Sequence, residues 1–316
     1  MIITLSGTTA SDVDATLVRL RAEGGAVALG HVLSLVVPTT EERLTGALAA
    51  ARTASLEHPS RIVALVTDRA APDGLAAEIR VGHDAGAGEI VVLRAGGRAA
   101  VAADTLVAPL LLPDAPTVVW WPADPPPAPA KDPVGALAQR RITDSLSSTD
   151  PAATIRRMAR VYTPGDTDLS WARSTPWRAQ LASALDLVAV EDVRAAWVAG
   201  QGLRPTVDLV AGWLASSLGC AVHTRTLRSS SISEVGLETG AGAVTLGREP
   251  DGTTATLHLP GSPDQTVLLP LRSLAECLAE DLRHLAPDAV YGRALTELVR
   301  HETLDTLPGG SLRSTS

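Results

Sequence analysis

The chain has 316 residues, 45% of them hydrophobic and 20% charged, with a formal net charge of −8. That length supports two ordinary domains and buries enough surface to fold without disulfide or metal staples. The acidic balance argues against nucleic acid as the main partner, because neutralising phosphates needs clustered positive charge. No apolar run reaches the roughly 20 residues that span a bilayer.

The start, MIITLSGTT, lacks the basic-then-apolar build of a signal peptide, so a cytoplasmic protein is expected. Val13 to Arg21 has helical periodicity, with Ser11 or Asp12 as cap and Gly24-Gly25 as stop. AVALGHVLSLVVP reads as a strand stopped by Pro38. EERLTGALAAARTASLEH follows as a helix with acids in its first turn. SRIVALVT and EIVVL are apolar strands, and LAAEIRV between them alternates like a half-exposed one. VAADTLVAPLLLP is predicted helical and PTVVWWP a buried strand. Pro122 to Pro133 reads as a surface loop, and QRRITDS as a strand rejoining the sheet. DPAATIRRMARVY is a helix capped by Asp150, with Pro151 at its first position and Ile155, Met158 and Tyr162 on one face.

Strands alternating with helices at this spacing predict a mostly parallel α/β sheet with a possible antiparallel edge. Ligands of such sheets bind beyond the carboxyl ends of the strands. Thr67-Asp68, Trp120-Trp121-Pro122 and Asp144-Ser145 follow strands and are candidates for a crevice. Asp68 and Asp144 serve equally well as turn or cap residues. The first domain is placed at 1–163, a second at 164–306 and a flexible tail at 307–316.

In the second domain TPWRAQLASALD is a helix with Thr175 as cap, Pro176 in its first turn, and Trp177, Leu181 and Leu185 on one stripe. PTVDLVAGWLASSLG is a helix ending at Gly219. AVHTRTLRSS, SISEVGLET, GAVTLGREP, TATLHLP and QTVLLP alternate, with hairpin turns at Gly240-Ala-Gly242 and Asp251-Gly252. RSLAECLAEDLRHL and AVYGRALTELVRHE close the chain as helices. The fold class is thus an N-terminal, mostly parallel α/β sheet domain followed by an α+β domain with a meandering antiparallel sheet.

The chemistry of common enzymes is missing from this pattern. Lys131 is the only lysine, and it follows no glycine-rich loop, so neither a Walker loop nor a Schiff-base lysine is expected. Gly-x-Ser-x-Gly and His-Glu-x-x-His are both absent. Gly86-Ala-Gly88 and Gly240-Ala-Gly242 are fragments of a dinucleotide fingerprint without its third glycine, better read as turns. Cys220 and Cys277 lie too far apart for a redox or zinc motif and read as small apolar residues.

The densest segment is GDTDLSWARSTPWR, Gly165 to Arg178. Asp166-Thr167-Asp168 has the form of a divalent-cation motif, yet its place after Thr163-Pro164-Gly165 suits a capped turn without a metal. Arg140, Arg141, Arg156, Arg157, Arg160, Arg173 and Arg178 concentrate in the middle of an acidic chain. Guanidinium forks bind phosphate or carboxylate and stack on tryptophan, and Trp with Arg is the pairing enriched at interface hot spots. Phosphate ligand, protein partner and internal ion pairing with Asp144, Asp166 and Asp168 all remain open.

The segments EGGAVALGHVLSLVV, EHPSRIVALV, DAGAGEIVVLR, APLLLPDAPTVVWWP, DPVGALAQRRITDS and YTPGDTDLSWARSTPWRAQLASALD resemble the OpcA family of glucose-6-phosphate dehydrogenase assembly proteins. The resemblance runs in unbroken order from Glu23 to Asp186 and continues more weakly beyond. It implies a non-catalytic subunit that binds glucose-6-phosphate dehydrogenase, promotes its active oligomer and raises its activity. NADPH production in the oxidative pentose phosphate pathway is what that activity feeds. No catalytic residue, metal or cofactor comes with the family. Asp166, Asp168, Trp171, Arg173, Trp177 and Arg178 match its signature. The functional surface is therefore expected at Trp120, Trp121, Arg140, Arg141, Asp144 and this signature. The rival expectation is a phosphosugar or sugar-nucleotide site in the strand-end crevice, using the central arginines.

Overall fold

The computed structural model describes residues 1–305 apart from 24–30, 83–87, 189, 202–203 and 228–230. The beginning of the strand expected at 26–38, most of the Gly86 turn, the end of AVHTRTLRSS and the tail lie outside the described residues. The chain forms two compact units. One comprises Met1–Ser147, Gly165–Leu169 and Ser273–Pro287; the other comprises Ser148–Pro164, Ser170–Arg272 and the chain from Asp288 onward. The chain therefore crosses between units more often than a single cut at 163/164 requires.

In the first unit the chain runs β1 (Ile2–Leu5), α1 (Ala10–Glu23), β2 (Leu33–Thr39), α2 (Glu41–Ala54), β3 (Ser60–Asp68), β4 (Gly74–Arg80) and β5 (Glu89–Gly96). It continues with α3 (Ala103–Val107), β6 (Thr117–Trp121) and β7 (Arg140–Thr143). Between β7 and β8 (Asp166–Asp168) lies α4 (Pro151–Val161), which belongs to the second unit. The sheet order is β1-β4-β5-β3-β2-β6-β7-β8. From β5 to β8 all pairings are parallel, and β4 and β1 add an antiparallel edge.

Strands buried on both faces must be apolar throughout, and Ile62 to Leu65 and Ile90 to Leu93 are. Val13, Leu17 and Leu20 of α1 share one core cluster with Val36, Val63, Val91 and Trp121. Pro38 does not stop β2; it stays in register with Leu65 of β3, beyond Val36, where the pairing with β6 ends. There its missing N–H removes no bond to β6. The helix expected over 101–113 is cut to five residues and a following 3₁₀ turn, since Pro109 withholds a donor from further helix.

The second unit holds α4, most of α5 (Leu169–Arg173), α6 (Thr175–Leu185), β9 (Ala195–Gly200) and α7 (Pro205–Leu218). β10 (Ala221–Thr226), β11 (Ile232–Thr239), β12 (Gly242–Arg248), β13 (Thr254–His258) and β14 (Gln265–Leu268) follow. The last helices are α8 (Leu274–Leu282), which belongs to the first unit, and α9 (Ala289–Asp305). The sheet order is β10-β9-β11-β12-β13-β14. β11 to β14 form the expected antiparallel meander, whereas β10 runs parallel to β9. The crossover through α7 is what a parallel neighbour requires.

The local stop and start signals act as physics expects. Asp150 accepts from the Ala153 N–H at 3.0 Å and caps α4, and Gly219 closes α7 at φ 65°. For α6 the cap is Ser174, not Thr175, and its hydroxyl donates to the Trp171 carbonyl instead of capping. Among the described residues no helix is long and apolar enough to cross a membrane.

Candidate functional site

The Gly165–Arg178 segment supplies a strand to one unit and a helix-bracing cluster to the other. In the first unit Gly165 has φ 98°, and a Cβ there would lie 2.6 Å from the Gln139 carbonyl. The close approach lets the Arg141 N–H donate to Gly165 at 2.9 Å and aligns β8 with β7. Asp166-Thr167-Asp168 is thus a buried strand rather than a capped turn. The Arg141 guanidinium pairs with Asp166 and donates to the Ala138 carbonyl at 2.9 Å. Asp168 accepts from Thr143 Oγ1 at 2.7 Å, Ser145 N at 2.9 Å and Ser145 Oγ at 2.5 Å. Both carboxylates are engaged by β7 and the turn after it, and no group of three metal-ligating side chains exists among the described residues.

Arg140 pairs with Asp281 and donates to the Ala286 carbonyl at 3.0 Å. Burial pushes the Asp281 carboxyl above its ordinary value, and the Arg140 guanidinium opposes that shift. Asp144 is fully buried and accepts from Ser147 Oγ at 2.7 Å.

In the second unit Trp171 Nε1 donates to Asp288 at 2.8 Å. Asp288 in turn accepts from the Val290 and Tyr291 N–H groups at 2.8 and 2.9 Å, capping the start of α9. Arg178 lies 3.5 Å over the Trp171 ring and donates to Ser174 Oγ, Thr175 Oγ1 and the Trp171 carbonyl. Burial lowers its pKa to about 10, Asp288 opposes the shift and Arg272 adds to it. Trp177 sits in a core with Leu181, Val198 and Leu246, and Arg248 lies 5.3 Å over its ring.

These positions correct the expectation of an outward Trp/Arg face. Trp120, Trp121, Arg140, Arg141, Asp144, Asp166, Asp168, Trp171 and Trp177 are all buried; Arg173 and Arg178 are half-buried. The reason is local: β6 and β7 are interior strands, and a buried guanidinium is tolerated only where carboxylates and carbonyls receive its protons.

The strand-end crevice exists, with a different lining. Sheet order reverses at β2, whose neighbours are β3 on one side and β6 on the other. This is the strand order of the doubly wound dinucleotide-binding sheet, 3-2-1-4-5-6, with β2 in the first place. Beyond the carboxyl ends of β2, β3 and β6 lies a cleft of about 310 Å³. Its wall includes Thr39, Arg43, Thr67, Arg69, Trp121 and Asp124. Thr67, Trp121 and Pro122 are there as the sequence indicated, whereas Asp68, Trp120 and Asp144 do not line it. Asp68 holds a turn, accepting from the Ala70 N–H at 2.9 Å. The central arginines are likewise absent from the cleft, and Arg43 and Arg69 take that place. Neither was singled out in the sequence; their positions just past predicted strand ends were the available signal.

At the β2–α2 junction, where a dinucleotide-binding sheet has its glycine loop, this chain has Pro38-Thr39-Thr40-Glu41-Glu42. Arg94 donates to Glu41 and Thr40 to Glu42, holding both carboxyls below their ordinary pKa. Arg94 compensates the Glu41 charge, which leaves the ionised Glu42 in the first helical turn to disfavour the pyrophosphate that this position otherwise binds.

Fold and site together define a class: a doubly wound α/β unit with an altered phosphate junction, combined in one chain with a largely antiparallel-sheet unit. Residues 51–160 match the profile described as the glucose-6-phosphate dehydrogenase subunit N-terminal domain, and residues 164–295 match that of its C-terminal domain. The chain belongs to the OpcA family of glucose-6-phosphate dehydrogenase assembly proteins.

No individual curated protein matches the chain significantly. Among solved structures, KijD10, a 3-ketoreductase from Actinomadura kijaniata in complex with TDP-benzene and NADP, is 12% identical with a TM-score of 0.49. That match covers 87% of this chain and 97% of the reductase. The UDP-N-acetylglucosamine 3-dehydrogenase GnnA from Acidithiobacillus ferrooxidans is 11% identical, with a TM-score of 0.42, over 85% of this chain and 96% of that one. An oxidoreductase from Sinorhizobium meliloti is 10% identical, with a TM-score of 0.39, over 87% and 90%.

Proposed function

We propose that this chain is a non-catalytic subunit of glucose-6-phosphate dehydrogenase that promotes its active oligomer and raises its activity, supporting NADPH production in the oxidative pentose phosphate pathway. The observation that carries this reading is the match of family profiles to most of both units. The carboxylate of Glu42 at the phosphate junction supports it, since it disfavours a redox dinucleotide at its usual seat.

An activator of this kind binds the active oligomer more tightly than the inactive form, because only differential affinity shifts that equilibrium. A coupling of about 1–3 kcal/mol gives a 5–150-fold change in affinity. Within the Gly165–Arg178 segment, the half-buried Arg173 and Arg178 are the side chains we assign to the contact; the buried ones hold the backbone that presents them.

The test is a titration of the partner dehydrogenase from the same organism, with activity and light scattering read together. Rising activity with growth of a larger complex supports the reading, and Arg173→Ala then weakens both signals. Unchanged activity and unchanged scattering refute it.

A further inference from the structure

We propose that the crevice beyond the carboxyl ends of β2, β3 and β6 binds a sugar monophosphate. Its volume of about 310 Å³ lies at the small end of ligand pockets, which run from about 300 to 1,000 Å³. That suits one phosphorylated sugar. The wall divides by chemistry. Arg43 and Arg69 supply guanidinium forks, the group best matched to phosphate oxygens. Thr39, Thr67 and Asp124 supply hydroxyl and carboxylate partners for sugar hydroxyls, and Trp121 gives an apolar wall.

Thr39, Arg69 and Arg43 have few or no side-chain partners among the described residues. Thr39 Oγ1 is buried without a hydrogen-bond partner, a condition that is unfavourable until a ligand relieves it. Arg69 is exposed and makes no ion pair among the described residues. Arg43 makes one long hydrogen bond, 3.4 Å to the Ser147 carbonyl. Asp124 has φ 43°, in the left-handed region that Asp enters more readily than most residues and that is over-represented at ligand sites.

The anion is held by side chains here and not by the helix end. Glu41 and Glu42 do not line the crevice; Glu41 is paired with Arg94, and the Glu42 carboxylate offsets the attraction of the α2 N-terminus. A ligand with two phosphates along that helix is therefore disfavoured, and one phosphate between Arg43 and Arg69 is accommodated.

Calorimetric titration of the full chain, without dehydrogenase, tests this with glucose 6-phosphate, glucose, inorganic phosphate and NADP⁺ as probes. Glucose 6-phosphate is expected to bind saturably, with glucose and inorganic phosphate each weaker by about tenfold or more. Arg69→Ala and Thr39→Val are expected to weaken that binding by about tenfold while the melting temperature holds. No heat with glucose 6-phosphate, equal affinity for inorganic phosphate, tighter NADP⁺ binding, or indifference to both variants overturns the proposal. Because dehydrogenase is absent, failure here leaves the assembly reading standing, and failure of the scattering assay leaves this one.

Discussion

The two units bury arginine in different ways. Around β7 the guanidiniums of Arg140 and Arg141 are matched to carboxylates, Asp281 and Asp166, almost out of reach of water. In the second unit Arg178 and Arg248 lie over indole rings and donate mainly to hydroxyls and carbonyls. The first arrangement fixes position by charge and fails badly if one partner is lost. The second relies on the ring face and on neutral acceptors, so its charge is only partly compensated, and burial depresses the Arg178 pKa accordingly.

The largest effect should come from breaking a matched pair. Asp281→Ala leaves Arg140 buried and uncompensated and is expected to cost about 3–5 kcal/mol, measured by urea denaturation of the full chain. Adding Arg140→Met should recover most of that loss. No recovery would mean that Arg140 is held mainly by the Ala286 carbonyl.

Gly165→Ala should come next. It forces a side chain onto a positive φ and against Gln139, and about 2 kcal/mol is expected, seen as a lower denaturation midpoint. An unchanged midpoint would show that the β7–β8 alignment does not depend on that close approach.

Arg178→Lys retains the charge but loses the flat stacking surface and the fork. It should cost about 1–2 kcal/mol and alter tryptophan fluorescence. A silent substitution would reduce the second unit's mode to charge alone.

The smallest effect concerns the exposed pair of Glu41 and Arg94, with Nη2 and Oε1 2.8 Å apart. Hydrogen bonding from Arg94 holds the Glu41 carboxyl below its ordinary 4.5. Its stabilisation is therefore present above pH 4.5 and is lost as pH falls through the folded-state value. After screening by solvent only a few tenths of a kcal/mol are expected. Glu41→Gln should melt slightly below the parent at pH 7, with the gap closing in acid and in high salt. A gap that persists in acid would assign the effect to helix capping.

Elements with strong patterns were legible from the chain: α1, α2, α4, α7 and the apolar strands β3, β5 and β6 fall where periodicity and caps placed them. Three strands were not. β1 is a four-residue edge, β8 is Asp-Thr-Asp, and β9 is an Ala/Gly-rich AAWVAG. β1 has the β-branched start Ile2-Ile3-Thr4 but is too short to stand out, and β8 and β9 lack a β-branched run; each becomes a strand because a neighbour supplies its hydrogen-bond partners. β9 nevertheless lies between β10 and β11. The candidate residues divide similarly. Thr67 and Trp121 were visible as strand-end residues, whereas Arg43 and Arg69 joined the crevice only through sheet order.

The sequence by itself determined that the chain is an acidic α/β protein of two parts, bearing its family's signature and lacking nucleophile-elbow and Walker motifs. Those properties reside in composition, short motifs and local periodicity, which need no third dimension. Only the tertiary structure decided that the signature tryptophans and aspartates face inward, that Asp281 is the counter-ion of Arg140, and that the crevice belongs to Thr39, Arg43 and Arg69. Burial and ion pairing join residues far apart in the chain, Arg140 and Asp281 across 141 positions and Glu57 and Arg283 across 226, and which of them meet is set by strand order, which no local pattern encodes.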